Sequence, residues 1–331
     1  MTTYKEIKGQ LIRQVSSDPS DPQIGQIWYN NTTGFLKGFL TINAAWSAGG
    51  NLNTARRDLA GCGTKSLALG FGGLETGTTS TGKTEEYNGS SWSEQSDMSA
   101  GERNFAGFGT QTAALAAGGI QAPGTRFSSN SEEYNGSSWT SGGSLNSGRD
   151  IMTGAGTQTS GVVFGGFGSP PASGENKGLT EEYNGSSFSE AGDLNTARRG
   201  HGRAGTQTAA LAFGGDGPEE GISSATEEYD GTSWTSVNNL PSGLEKMAGG
   251  GTQTSALSSG GLAPSITSQV LSYDGTNWST TASLGTARNA LAGDGANNTT
   301  GIVFGGQTPS FTAATEEFTD TFNATRNITS S

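Results

Sequence analysis

Cysteine and histidine are almost absent from this chain, each represented once, by Cys62 and His201. A single cysteine excludes an intramolecular disulfide and any cysteine-based zinc site. A single histidine excludes a histidine cluster for copper or zinc. Charge is scarce as well, at 15% of 331 residues, and it is unbalanced: 18 Lys and Arg stand against 30 Asp and Glu, a formal net charge of -12. Binding a phosphate backbone needs clustered cations, so nucleic acid is not an expected partner. No apolar run approaches the roughly 20 residues that span a bilayer, and the opening MTTYKEIKGQLIRQVSSDPSDP has no apolar signal core. The expectation is a chain made in a cytoplasm, with no membrane insertion.

What the chain has instead is glycine, 55 residues of it, set at fixed offsets from aromatic and aliphatic residues. Turn punctuation requires such offsets and a flexible linker does not. The glycine pairs at 72–73, 118–119, 165–166, 214–215, 260–261 and 305–306 mark six copies of one pattern, with a period of 44 to 49 residues. A typical copy reads AGFGTQTAALAAGG, then a variable stretch, then SEEYNGSSW. Repeats of this length point to four-stranded propeller blades.

Within one copy, Phe105 to Thr110 and Thr112 to Gly119 are small-residue runs separated by a Thr-Gln turn, as suits two inner strands crowded near an axis. Ser131 to Thr140 alternates and is broken by Asn135 and Gly136, which predicts a hairpin with a type I′ turn. The dipeptide returns at 88–89 and 184–185, and as Asp-Gly at 230–231 and 274–275. The aromatic that follows, Trp92, Trp139, Phe188, Trp234 or Trp278, is expected to pack between adjacent blades. The sixth copy lacks both the turn and the Trp, so a strand over Leu40 to Ser47, carrying Trp46, is expected to complete it. The tail DTFNATRNITSS competes for that place, with Phe322 imitating the Trp.

The GG pair, the Tyr with Asn or Asp, and the Trp resemble kelch repeats from about Phe39 to Phe318, with Phe71, Phe164, Phe213 and Phe304 as the aromatic before GG. The opening segment resembles one common in tailed-phage virion proteins; Pro22, Gly25, Ile27, Trp28, Tyr29, Asn30, Thr33, Gly34, Leu36 and Lys37 carry that resemblance. Together the two are similar to kelch-like propellers of marine phages. The resemblance implies a virion structural protein attached to other virion proteins through residues 1–35, with Trp28, Tyr29 and Asn30 in the attachment segment.

Catalytic chemistry has little to stand on. Kelch-type copper oxidases, similar in blade pattern, use a Tyr and Cys pair with histidine ligands, which this chain cannot supply. The turn at Ser272 to Trp278 resembles a sialidase Asp-box but lacks the residue between Asp274 and Gly275. The carboxylates that recur do so in EEY, and a residue repeated by symmetry is better read as structural. An ion pair is expected there between Arg56, Arg149, Arg198 or Arg288 and the second Glu, such as Glu182. Copy five lacks both partners, having Leu244 and Ser272.

Recognition is expected in the variable loops between second and third strands, because loops on a rigid scaffold tolerate change. The candidate binding residues are Phe127, Phe167, Pro170, Pro171, Glu175, Lys177 and Phe311. The resulting expectation is an all-β, six-bladed kelch-like β-propeller closed by an N-terminal strand: an attachment segment at 1–35, the propeller at 36–320 and a tail at 321–331. It is expected to be non-enzymatic, without metal or cofactor, and located in the virion after synthesis in the host cytoplasm. A tail-fibre or tail-associated role fits best, with a host surface protein or glycan as a further partner and homo-oligomer formation compatible. The alternatives are a capsid-decorating protein or an intracellular kelch-like interaction module.

Overall fold

The computed structural model of the chain describes residues 12–124, 126–169, 174–217 and 221–328, and these form an all-β structure with no helix. Contacts divide the chain into two units, Met1–Ala44 with Asp320–Ser331, and Ala45–Thr319.

The larger unit contains six antiparallel four-stranded sheets, an arrangement consistent with a propeller. Sheets 1 to 6 open with Ala60–Thr64, Ala106–Thr110, Thr153–Thr157, Gly202–Thr206, Ala248–Thr252 and Ala292–Asn297. Each opening strand pairs with an apolar second strand, such as Ala113–Ala117 in sheet 2, then come the EEY strand and the strand that begins with Trp or Phe. The opening strands of successive sheets lie side by side, sheet 6 beside sheet 1 included. Their glycines are there because nothing larger fits: a Cβ on Gly107 would stand 2.4 Å from the Ala60 Cβ, and one on Gly61 2.4 Å from the Phe304 ring.

Sheet 6 takes its fourth strand from the other end of the sequence. Ala45–Ala48 pairs with Thr315–Thr319, placing Trp46 opposite Phe318. An N-terminal strand therefore completes sheet 6, but it is shorter than the expected Leu40 to Ser47. Leu40 belongs to Phe35–Ile42 in the smaller unit, where the tail strand Phe322–Asn327 pairs with it. The two candidate strands thus do not compete. Trp46 can donate its indole N–H to the Ala282 carbonyl at 2.9 Å, a bond that Phe322 could not make.

The Asn-Gly turns differ from the expected type I′ form. Only the glycines take positive φ, 88° at Gly89 and 89° at Gly136, and the loop spans four residues between the paired Tyr and Trp. The Asn88 carboxamide oxygen accepts from the N–H groups of Ser90 and Ser91, both at 3.0 Å. Asp230 and Asp274 do the same, so the position selects a side-chain acceptor and either residue serves.

In the smaller unit, Ile27–Asn30, Phe35–Ile42 and Phe322–Asn327 form a continuous antiparallel set, with Arg13–Val15 added in parallel.

Candidate functional site

The neighbouring sheets are tied by side chains that repeat with the sequence. The Trp139 indole donates to Thr84 Oγ1 of the preceding sheet at 2.9 Å, and Trp234 and Trp278 repeat the bond to Thr180 and Thr226 of the sheets that precede theirs, at 2.9 and 3.1 Å. Trp92 of sheet 1 donates to Thr315 of sheet 6 at 2.9 Å. The Gln of GTQT donates in the same direction: Gln111 reaches the carbonyls of Ala68 and Tyr87 at 3.0 and 2.7 Å. This is why the turn hardly varies. At the opposite end, Asp58, Asn104, Ile151, Gly200, Lys246 and Ala290 all take left-handed φ. The N–H of each donates to the carbonyl of its predecessor, and Asp58 donates to Ala290, at 2.7–3.1 Å. These six backbone bonds form a closed cycle.

The buried arginines pair with the first Glu of EEY, correcting the expected second. Arg56 meets Glu85, Arg149 meets Glu181, Arg198 meets Glu227 and Arg288 meets Glu316, at 2.5–3.1 Å. Strand alternation is the reason: the first Glu faces the buried side with Tyr two residues on, and the second turns away from it. The second Glu accepts instead from the Tyr of the following sheet, as in Tyr134 to Glu86 at 3.0 Å and Tyr229 to Glu182 at 2.9 Å. Burial first, then the Glu86 contact, pushes the Tyr134 phenol up. Where sheet 5 has Ser272, sheet 6 has Phe318 in place of Tyr, so acceptor and donor are lost together.

The recognition candidates lie at the end that carries the variable loops. Phe127 and Phe167 come together, ring centroids 6.0 Å apart. The Arg126 guanidinium stands over both rings at 4.8 and 5.0 Å, and Arg199 covers Phe167 at 4.6 Å. Arg126 is itself held by the buried Asp150 at 3.0 Å and Arg199 by Asp216 at 2.7 Å. Burial raises the Asp150 carboxyl against the pull of Arg126. Phe127 has a left-handed φ of 59°, a strained conformation for an aromatic residue. Glu175 and Lys177 form an ion pair at 2.7 Å in the same loop, whereas Phe311 has a separate partner, Arg57 at 5.0 Å. Pro170 and Pro171 lie outside the described residues. The sequence reading missed Arg126 and Arg199, yet the doubled arginines at 56–57 and 198–199 carried a signal. In each pair the first is buried and the second lies over a ring.

Between the opening strands lies a cavity of about 380 Å³ whose lining includes Arg203 and Asp294. Arg203 donates to the Gly61 carbonyl at 2.8 Å and to that of Gly107 at 3.2 Å, reaching two other sheets across the middle. His201 is buried against Phe164, and desolvation holds its imidazole well below the ordinary range. It stands where Leu59, Phe105, Met152, Met247 and Leu291 stand in the other sheets, a packing position.

In the smaller unit, Trp28 and Asn30 are internal. Both donate to Asp18 Oδ1, at 3.0 and 2.8 Å, while Lys37 bonds Asp18 Oδ2 at 2.7 Å. These bonds, that of Lys37 foremost, hold the Asp18 carboxyl at about 2. Tyr29 is half-buried on the other face, which also carries Ile27, Leu40 and Phe322 by register. Ile24, Ile27, Phe35, Leu40, Phe322 and Ile328, all of this unit, are exposed, and in the larger unit only Leu67 among the large apolar side chains described is. No family model matches the chain, and no curated protein matches it in sequence.

Proposed function

We propose that the six sheets are the blades of a closed, six-bladed kelch-like propeller, and that the chain is a non-enzymatic structural protein of a tailed-phage virion, in the tail fibre or associated with the tail. The closed cycle of six backbone bonds and the Trp-to-Thr bond from sheet 1 to sheet 6 support the propeller. The observation that carries the virion role is the distribution of exposed apolar surface. Soluble proteins bury such surface unless a partner covers it, and here it gathers on the small unit that contains the phage-like segment. In this reading Ile27, Leu40, Phe322 and Ile328 are the contact with another virion protein, and Trp28 and Asn30 are the core that holds that face in shape. The loop cluster of Phe127, Phe167, Arg126 and Arg199 is the recognition surface, since aromatic and arginine side chains dominate binding energy at protein interfaces.

The test is co-sedimentation of the full chain with purified virions stripped of it. Substituting Ile27→Ser, Leu40→Ser and Phe322→Ser together is expected to abolish association while circular dichroism stays unchanged. Undiminished association of a folded triple variant would remove the attachment role from this face, and absence of the chain from every virion preparation would reject the virion reading.

A further inference from the structure

Sheet 2 breaks the buried ion-pair pattern by placing a second carboxyl group where four sister sheets place an arginine. In sheets 1, 3, 4 and 6 an arginine side chain with no exposure faces the first Glu of EEY. In sheet 5 both members are leucine, Leu244 and Leu271, an apolar replacement for the pair. In sheet 2 the arginine position is Glu102, which faces Glu132; the two are 0% and 3% exposed. Among the described residues neither Glu102 oxygen has a hydrogen-bond partner, and neither does Glu132 Oε1, while Glu132 Oε2 accepts from the Ser99 N–H at 2.9 Å.

The sister sheets indicate what such a place holds. In sheet 1 the Arg56 guanidinium is ringed by Glu85 and by the carbonyls of Gly72 and Lys83, at 2.8 and 2.6 Å. Gly305 and Ala314 supply the same carbonyls to Arg288 in sheet 6. The corresponding residues of sheet 2 are Gly118 and Asn130. A glutamate is shorter than an arginine and carries no donor when ionised, so it cannot serve the Gly118 and Asn130 carbonyls as Arg56 serves those of Gly72 and Lys83.

We propose that Glu102 and Glu132, with the carbonyls of Gly118 and Asn130, bind a calcium ion in sheet 2 where the sister sheets bury a guanidinium. An all-oxygen donor set selects a hard cation. Two carboxylates and one divalent ion are neutral together, as an Arg–Glu pair is, and a buried charge needs such compensation. Burial, reinforced by Glu132, pushes the Glu102 carboxyl up to about 8 when no ion compensates it. The competing occupant is therefore a proton. Protonation alone would make stability greatest at low pH and lower it as pH rises from about 4.5 to about 8.

The experiment is calorimetric titration of the chelator-treated full chain with CaCl2 near neutral pH, alongside thermal unfolding with and without Ca2+. One Ca2+ per chain is expected, with a melting temperature raised by Ca2+ and lowered by chelator. Glu102→Gln should abolish that response, and Glu102→Arg should abolish it while restoring the pair of the sister sheets and keeping the fold. The proposal is overturned if the natural chain binds no Ca2+, if both folded variants bind it equally well, or if melting follows pH alone and ignores Ca2+.

Discussion

Sheets 1 and 5 contain two solutions to one buried position, and converting one into the other gives a quantitative test. Arg56 has no exposure; it donates to Glu85, Gly72 and Lys83, and Glu85 in turn accepts from the Asn53 N–H and carboxamide at 2.7 and 2.9 Å. Sheet 5 replaces all three members, with Pro241 for the Asn, Leu244 for the Arg and Leu271 for the Glu. Proline has no N–H, so deleting the acceptor there leaves no orphaned donor. Arg56→Leu alone strands the buried Glu85 carboxylate and should cost about 3–5 kcal/mol. The triple variant Asn53→Pro, Arg56→Leu and Glu85→Leu should recover most of that, ending within about 1 kcal/mol of the natural chain. Urea unfolding followed by tryptophan fluorescence measures both. If the single variant loses under about 1 kcal/mol, or the triple variant is no more stable than the single, the ion-pair account is wrong.

The inter-sheet tyrosine bonds should behave in the same modular way. Tyr134→Phe is expected to cost about 1.5–3 kcal/mol, the range for a hydrogen bond to a carboxylate acceptor such as Glu86. Adding Glu86→Ser, which copies the Ser272 and Phe318 junction, should cost little more; a fully additive double variant would show that the two residues are not coupled. In the smaller unit, the low carboxyl value of Asp18 means that its bonds stabilise the fold fully above the ordinary value of 3.8 and lose that contribution as pH falls through about 2. Trp28 fluorescence, isolated by replacing the other tryptophans with phenylalanine, should change over that acidic range. Asp18→Asn should remove the transition, and its persistence would locate the titration elsewhere.

Much of the larger unit was legible in the sequence because the pattern repeats. The GG pairs, the small inner strands and the Trp positions each recur, and close approach such as that of Gly107 to Ala60 leaves few alternatives. The partner of the buried arginines was misassigned for a local reason: two adjacent glutamates point to opposite faces of one strand, and composition does not say which face is buried. The Asn-Gly turn was misjudged because the same dipeptide serves both a two-residue turn and a four-residue loop capped by the Asn side chain. The Phe127, Phe167, Arg126 and Arg199 cluster was legible only in part, since its members come from separate loops that sequence spacing does not relate. The smaller unit pairs Phe35–Ile42 with residues 280 or more positions away, and nothing periodic announces that pairing.

The most direct test of the functional account is an imaging reconstruction of a phage particle that carries this chain. The account predicts the chain within the tail, with Ile27, Leu40, Phe322 and Ile328 covered by another virion protein and the loops of Phe127 and Phe167 accessible. A particle without the chain, or one in which that apolar face is bare while the larger unit makes the contact, would contradict it.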